Sequence, residues 1–466
     1  MSQNEQNNQD QLQKQINDLM RERNELFQRN QELIEKNRKL DEEVRNLLMK
    51  QDLESVDKKS LRFKMVTVLF ASIKGFTQLT EEDDAHKLID DLDGFFLEIE
   101  SILKKYNIEK TSSIGDTLML TGGMPQKNRT NPIEMILAAM QIRDELERFQ
   151  EELFGPSRRI WQISMGIHTG PVVAQPSGKK KIVYEVKGET VNIASRIEAA
   201  SENGKIIISE TTRELVESYF QCHFASKIPV KYMGDVSLFE VKRLLPRYSV
   251  DEHGRNFNDA FRLRFQIIRY DDLEEFVLDK LERELPKYLY YHNLKHTIDV
   301  ITQVEIIGTG EGIIDEELLL LKTAALFHDA GQTVQSKGHE QISTEIAGEI
   351  LPRFGYLPEQ IVRVNEIIMA TQLPPKPQTI LQKIICDSDL DYLGRSDFIP
   401  VSNMLFKELA EQNIVTSIDD WNIMQYKFLN VHQYFTNTAN HLREVNKQTQ
   451  IDRIKSEIPP DKLPVL

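Results

Sequence analysis

Apolar residues fall along this chain in three successive rhythms. In the first, Leu12, Leu19, Leu26, Leu33, Leu40 and Leu47 recur every seven residues, the spacing of a coiled-coil seam. With these leucines at d, the a positions are Ile16, Arg23, Asn30, Asn37 and Val44. Leucine at d with polar residues at several a positions predicts a two-stranded parallel coil over residues 11–50, because buried polar a residues fix the register at a cost in stability. A single amphipathic helix packed on its own domain is the competing reading; the unbroken heptads, without Gly or Pro, argue against it. Residues 1–10, rich in Asn and Gln, are expected to be disordered, and 51–60 (QDLESVDKKS) to be a linker.

The second rhythm alternates. Short strand-like stretches at Lys64–Phe70, Thr117–Thr121, Gln162–Ile167 and Lys205–Ser209 are separated by helical patterns at Ala85–Tyr106, Pro132–Leu153 and Val191–Glu202. Gly170–Pro171 and Asn203–Gly204 supply turns. This predicts an α/β domain over residues 61–244. The third rhythm is helical almost throughout, punctuated by Pro286, Pro352 and the PPKP at 374–377. It predicts an all-α domain over 259–450, joined by a linker at 245–258 and followed by a tail at 451–466. No internal repeat relates the two domains.

Composition narrows the partners. The formal net charge is −15, which argues against nonspecific binding to nucleic acid or to an anionic membrane. Two cysteines, Cys222 and Cys386, are too few for a disulfide framework and fit a reducing compartment. The N-terminus has no apolar core of a signal peptide. The longest apolar run, Leu318–Leu321, ends at Lys322, far short of the roughly 20 residues a spanning helix needs. A cytoplasmic protein without membrane or nucleic-acid partners is expected.

Several motifs in the α/β segment carry a resemblance. TVLFASIKGFT at 67–77, IGDTLML at 114–120, MGIHTGPVV at 165–173 and VKGETVNIASRIEAA at 186–200 resemble the class III nucleotidyl cyclases, whose catalytic domain is an α/β, ferredoxin-like fold. The resemblance implies a metal-binding aspartate at Asp116, with Mg as its ion, and transition-state residues at Asn192 and Arg196. Those two stand four apart, so a helix presents them on one face. The family's other metal aspartate falls at Ser72, a weak neutral ligand in place of a carboxylate. The base-reading Lys falls at Ser112 and its acidic partner at Glu185. A phosphate-binding Lys falls at Met233, with Lys231 as a substitute. Family sites form between two chains, so the coil would bring two such domains together as a homodimer. Three readings follow: a degenerate cyclase fold that binds nucleotide or dimerises, a partner for a second cyclase chain that supplies both aspartates, or a weakly active homodimer.

The helical segment holds the fuller set of ligand types. YYHNLKHTIDV at 290–300, ALFHDAG at 325–331, GHEQIS at 338–343 and CDSDLDYLG at 386–394 resemble the HD superfamily of metal-dependent phosphohydrolases. Imidazole and carboxylate together suit divalent transition metals. The resemblance implies a metal quartet of His296, His328, Asp329 and Asp389, with Mn, Fe, Zn or Mg as the ion, and His339 as ligand to a second ion. Asp387 and Asp391 are the alternatives to Asp389. Asp389 is preferred because its following Leu matches the family's wording, and helical spacing turns Asp387 about 200° away. YHNLKHTIDV is also similar to a cyclic-nucleotide phosphodiesterase signature in which the first His, here His292, protonates the leaving oxygen. Phosphodiesterases continue the HD pair with a further His, where this chain has Gln332. Lys295 and Lys337 flank the segment as phosphate contacts or plain solvated residues. The implied protein is a signalling enzyme: its HD domain hydrolyses a phosphate ester, a cyclic nucleotide first, under control of a cyclase-like domain. The alternative is an active or partner-dependent cyclase with a regulatory HD domain.

Overall fold

The computed structural model describes residues 60–74, 85–114, 117–155, 161–177, 183–230 and 234–464. The leucine heptads, and the coil, disordered start and linker expected around them, lie outside these residues, as do Asp116, Lys231 and Met233. Two compact units emerge, one comprising residues up to 127 with 131–256, the other 128–130 with 257 onward.

In the first unit the strands are β1 Leu61–Lys74, β2 Ile108–Ile114, β3 Thr117–Gly122, β4 Gln162–Ser177, β5 Val183–Lys187, β6 Ile206–Ser209, β7 Phe220–Val230 and β8 Gly234–Leu244. The helices are α1 Ala85–Lys105, α2 Asn131–Phe154, α3 Glu189–Ala199 and α4 Glu210–Val216. The sheet runs β2-β3-β1-β4-β6-β8-β7, with β5 added to β4. Only the β4–β6 pairing is parallel among the described strands. The central strands are apolar on both faces because helices cover them: every residue of β3 and β6 is buried. On one side Phe95 of α1 stacks on Phe149 of α2, and Phe149 on Trp161.

The glycines of β4 seat α3. A Cβ on Gly166 would come 2.1 Å from the Glu198 amide nitrogen, and one on Gly170 would lie 2.6 Å from Thr190 Oγ1. Thr190 donates to the Pro171 carbonyl, and Ser164 donates to the Glu198 carboxylate from within the strand. The MGIHTGPVV stretch is thus the bed of the helix that carries Asn192 and Arg196.

The second unit is helical: α5 Asp259–Glu284, α6 Leu294–Gly310, α7 Asp315–Phe327, α8 His339–Ile350, α9 Pro358–Met369, α10 Ile380–Asp389, α11 Phe398–Glu411, α12 Ile418–Val431 and α13 Asn437–Glu457. Polar side chains start five of them: Asn258, Asn293, Thr379, Ser417 and Thr436 each accept a backbone N–H of the following turn. Helix α7 is the axis. Leu319, Leu320, Leu321 and Ala324 to Phe327 are all buried, in one cluster with Leu273 and Val277 of α5, Val304 of α6 and Ile384 of α10.

Two expected boundaries are corrected. The linker expected at 245–258 is packed structure up to its last residues: Tyr248 stacks on Tyr219, Arg247 donates to the Ser218 carbonyl, and Leu244 N–H donates to Gly254. The tail expected from 451 begins as helix, since α13 runs to Glu457; Ile451 and Ile454, with Ile458 just past its end, are buried against Leu393, Phe398 and Leu429. Spacing of three residues puts Ile451 and Ile454 on one helix face. No helix among the described residues is long and apolar enough to cross a membrane.

Candidate functional site

Three helix ends of the second unit meet at one point. His296 lies in the first turn of α6, whose cap Asn293 accepts from the Lys295 and His296 amides at 2.9 and 3.3 Å. His328 closes α7, and Asp329 follows it into a 3-10 turn at Ala330–Thr333. Asp389 is the last residue of α10. The turn after Asp329 is strapped to α8: Gly331 N–H donates to Ser343 Oγ, which donates to the His328 carbonyl. Only glycine fits at 331, because a Cβ would stand 2.0 Å from the His339 carbonyl oxygen.

The side chains converge. His296 Nε2 lies 3.3 Å from His328 Nε2, 3.1 Å from Asp389 Oδ1 and 3.6 Å from Asp329 Oδ2. His328 Nε2 lies 3.3 Å from Asp329 Oδ2 and 3.6 Å from Asp389 Oδ1. Ligand atoms of His296, His328 and Asp329 all fall within 4.8 Å of one another. His328 Nδ1 is 2.8 Å from the Ala325 carbonyl, an acceptor only, so the proton sits on Nδ1 and a lone pair faces the centre when the ring is neutral. Asp329 Oδ2 is buried without a hydrogen-bond partner. Lone pairs of imidazole and carboxylate directed at one buried point are the donor set a divalent ion takes, so these residues fit a metal.

Without an ion, protons would take its part. Burial disfavours charge on His328, yet Asp329 and Asp389 outweigh it and hold the imidazole well above its ordinary range. Burial likewise works against the carboxylate of Asp329, but His328 and His292 hold it well below the usual value. His339 stands beside the quartet, its Nε2 3.1 Å from Asp329 Oδ1. Burial lowers its affinity for a proton, and Asp329 more than reverses that, to a pKa of about 9.

The three acids of the CDSDLDYLG stretch do three different things. Asp387 is fully buried and accepts from the Phe435 and Thr436 amides and the Thr436 hydroxyl, which ties it to the start of α13. Asp391 pairs with Arg443 at 2.6 Å. Asp389 alone of the three faces the histidines. Lys295 is exposed and pairs with Asp299 at 2.6 Å, and Lys337 is exposed.

Sequence reasoning missed Glu408 of α11. Its carboxylate, buried at 1% exposure, accepts from the Tyr291 and His292 amides and from His292 Nδ1. Burial raises its pKa, and the His292 bond and charge then carry it below the ordinary value. His292 is therefore held with Nδ1 on Glu408 and its ring 5.9 Å from that of His296. The sequence signal was slight: a glutamate on the stripe of Phe398, Ser402 and Leu405 that faces inward. Also unforeseen is a cavity of about 290 Å³ beside His292 and Asp389, walled by Leu393, Phe398, Trp421 and Phe428.

In the first unit the implied cyclase residues are spread over several elements. Ser72 is buried on β1, opposite Thr117 of β3, and its hydroxyl bonds Thr117 Oγ1 at 2.8 Å. Ser112 of β2 is half-buried, and Glu185 of β5 is exposed and pairs with Lys187 at 3.1 Å. Asn192 is half-buried and Arg196 exposed on α3, with Arg196 Nη1 3.5 Å from the Pro229 carbonyl.

Comparison with known proteins matches both units. Residues 58–243 match the family description of the Adenylate and Guanylate cyclase catalytic domain, and residues 293–391 that of the HD domain. One chain carries a cyclase catalytic domain and an HD domain. Similar curated proteins include the receptor-type guanylate cyclase gcy-8 of Caenorhabditis elegans, 33% identical over 177 residues, 37% of this chain and 15% of that protein. The membrane guanylyl cyclase of Dictyostelium discoideum is 30% identical over 187 residues, 40% of this chain and 12% of that protein. Among solved structures, the adenylyl cyclase CyaB of P. aeruginosa shares 30% identity, covering 39% of this chain and 95% of that one, with a TM-score of 0.36. The chain thus spans a small part of these curated relatives' length.

Proposed function

We propose that this is a nucleotide-signalling enzyme whose HD domain hydrolyses a phosphate ester, a cyclic nucleotide first among them, under control of a degenerate cyclase domain. The observation that carries the reading is the convergence of His296, His328, Asp329 and Asp389, with a buried Asp329 oxygen left unpartnered. His296, His328, Asp329 and Asp389 would hold a divalent ion, and His339 would face a second beside Asp329. When bound, such an ion supplies Lewis acidity and an activated water. His292 is the general acid. Burial opposes its charge, but Asp329 and Glu408 raise its pKa above the ordinary value, the direction a proton donor needs. Glu408 fixes Nδ1, which leaves Nε2 to donate to a leaving oxygen. The cavity beside His292 is apolar and aromatic, which suits a planar base while the phosphate faces the histidines.

The test is a metal analysis of the purified chain with a hydrolysis panel of cyclic and linear nucleotides. Turnover that disappears in Asp329→Ala, together with bound divalent metal, is the expected result. A metal-free wild type that turns over nothing on the panel would sink the proposal. A second reading, an active or partner-dependent cyclase with a regulatory HD domain, draws support from Asn192 and Arg196, both kept on α3. Against it stands Ser72, whose hydroxyl is engaged by Thr117.

A further inference from the structure

We propose that Gln332 is the positioning residue that orients His339 toward a second cation beside Asp329; this rests on the metal-centre reading above. The two oxygens of Asp329 face different imidazoles. Oδ2 points at His328 and His296, 3.3 and 3.6 Å away, and Oδ1 at His339 Nε2, 3.1 Å away. His339 Nδ1 lies 2.8 Å from the Ser336 carbonyl, which can only accept, so this nitrogen carries the proton. Without an ion, a proton on Nε2 bridges to this carboxylate oxygen, in keeping with the raised pKa of His339. A cation would take that proton's place between the imidazole and the carboxylate. Glu340 brings a further oxygen 3.9 Å from the same nitrogen.

Gln332 touches the other edge of this ring. Its amide is 3.2 Å from His339 Nδ1, and the side chain is buried, 4% exposed. With Nε2 toward the ring, two donors would face each other, and Oε1 is buried without a partner. Exchanging the ends of the amide, which partners alone decide, gives the Nδ1–H a second acceptor. Ser336 and Gln332 then hold the ring from two sides with one tautomer fixed, the arrangement by which outer groups orient a metal-binding histidine. A neutral amide does this without adding charge beside Asp329.

The experiment titrates Mn(II) into the full chain in an Asp116→Ala background, so that only ions of the HD domain are counted. Calorimetry gives stoichiometry, and electron paramagnetic resonance detects the exchange coupling of two ions sharing a carboxylate. Two ions per chain are expected in that background. Gln332→Met should leave the first ion unchanged and weaken the second ten- to hundredfold, with loss of the coupled spectrum. Gln332→Glu, which keeps an acceptor for Nδ1–H, should retain both ions, and it decides the matter should the Met variant fail to fold. The inference is overturned if the Met variant binds both ions normally, if the Glu variant loses the second, or if the parent chain binds only one. A parent chain that binds no ion instead defeats the metal-centre reading itself.

Discussion

At the scale of single residues, chemistry and scaffolding lie two positions apart. Asp387→Ala should leave the Phe435 and Thr436 amides buried without an acceptor, at about 2–4 kcal/mol, and so lower the melting temperature while metal content is unchanged. Asp389→Ala should lose the ion while the Phe435 and Thr436 amides keep their acceptor. Calorimetric unfolding paired with metal analysis of the two variants checks both. A second residue-scale prediction concerns Glu408→Gln: it keeps a hydrogen-bond partner for His292 but removes the charge. Turnover should fall by about two orders of magnitude, the lower end of the general-acid range, with little change in KM; an unchanged turnover would free His292 of the acid role. The quartet itself was legible in the sequence, because an adjacent His and Asp ending an apolar helix, between an earlier His and a later Asp, is a sparse pattern. Glu408 was not, since it meets His292 across 116 residues of chain, and nothing local marks it. The choice of Asp389 over Asp387 rested on the family's wording and on helical angle, and the structural reason, the docking of α13, is invisible locally.

At the scale of elements, strand β4 and helix α3 behave as one piece. Gly166→Ala would drive a methyl group into the α3 backbone at 2.1 Å, a clash with main chain that no rotamer relieves. A loss on the order of 3 kcal/mol is expected, readable as earlier unfolding of the cyclase domain. The same strand holds a buried histidine. His168 bonds Ser209 Oγ at 2.7 Å, and burial pushes its pKa down to about 4. Since the unfolded chain takes up this proton near 6.5, its contribution is neutral above that value. Stability is lost as pH falls from 6.5 to 4, by at most about 3 kcal/mol. A His168→Gln variant should show a flatter stability profile in that window, measured by denaturant unfolding at several pH values. Strands β1, β3, β4 and β6 and helices α1, α2 and α3 were readable from their periods, and the second domain as helical throughout; β2, β5, β7, β8, α4 and the last turns of α13 were not. Ile451, Ile454 and Ile458 form a stripe in an otherwise polar stretch, and only Phe398 and Leu429, from distant helices, give it a surface to cover.

At the scale of the whole molecule, two catalytic folds in one chain raise the question of which performs chemistry. In the proposed reading the cyclase domain keeps Asn192 and Arg196 but has Ser72 at a metal-ligand position, and the Ser72 hydroxyl bonds Thr117. A neutral oxygen committed to a neighbour contributes little to holding a divalent ion. Ser72→Asp restores the charge at a strand position whose neighbours, Thr117 and Ser164, are small and polar. If the lost carboxylate is what silences this domain, the variant should form cyclic product from ATP or GTP with Mn(II) at least tenfold faster than wild type. Its hydrolysis by the HD domain should be unaltered, because Ser72 lies outside the quartet. Asp329→Ala should show the mirror image, with hydrolysis lost and cyclisation untouched. A wild type that already cyclises as fast as Ser72→Asp would mean the serine is tolerated, and the division of labour proposed for the two domains would have to be reversed.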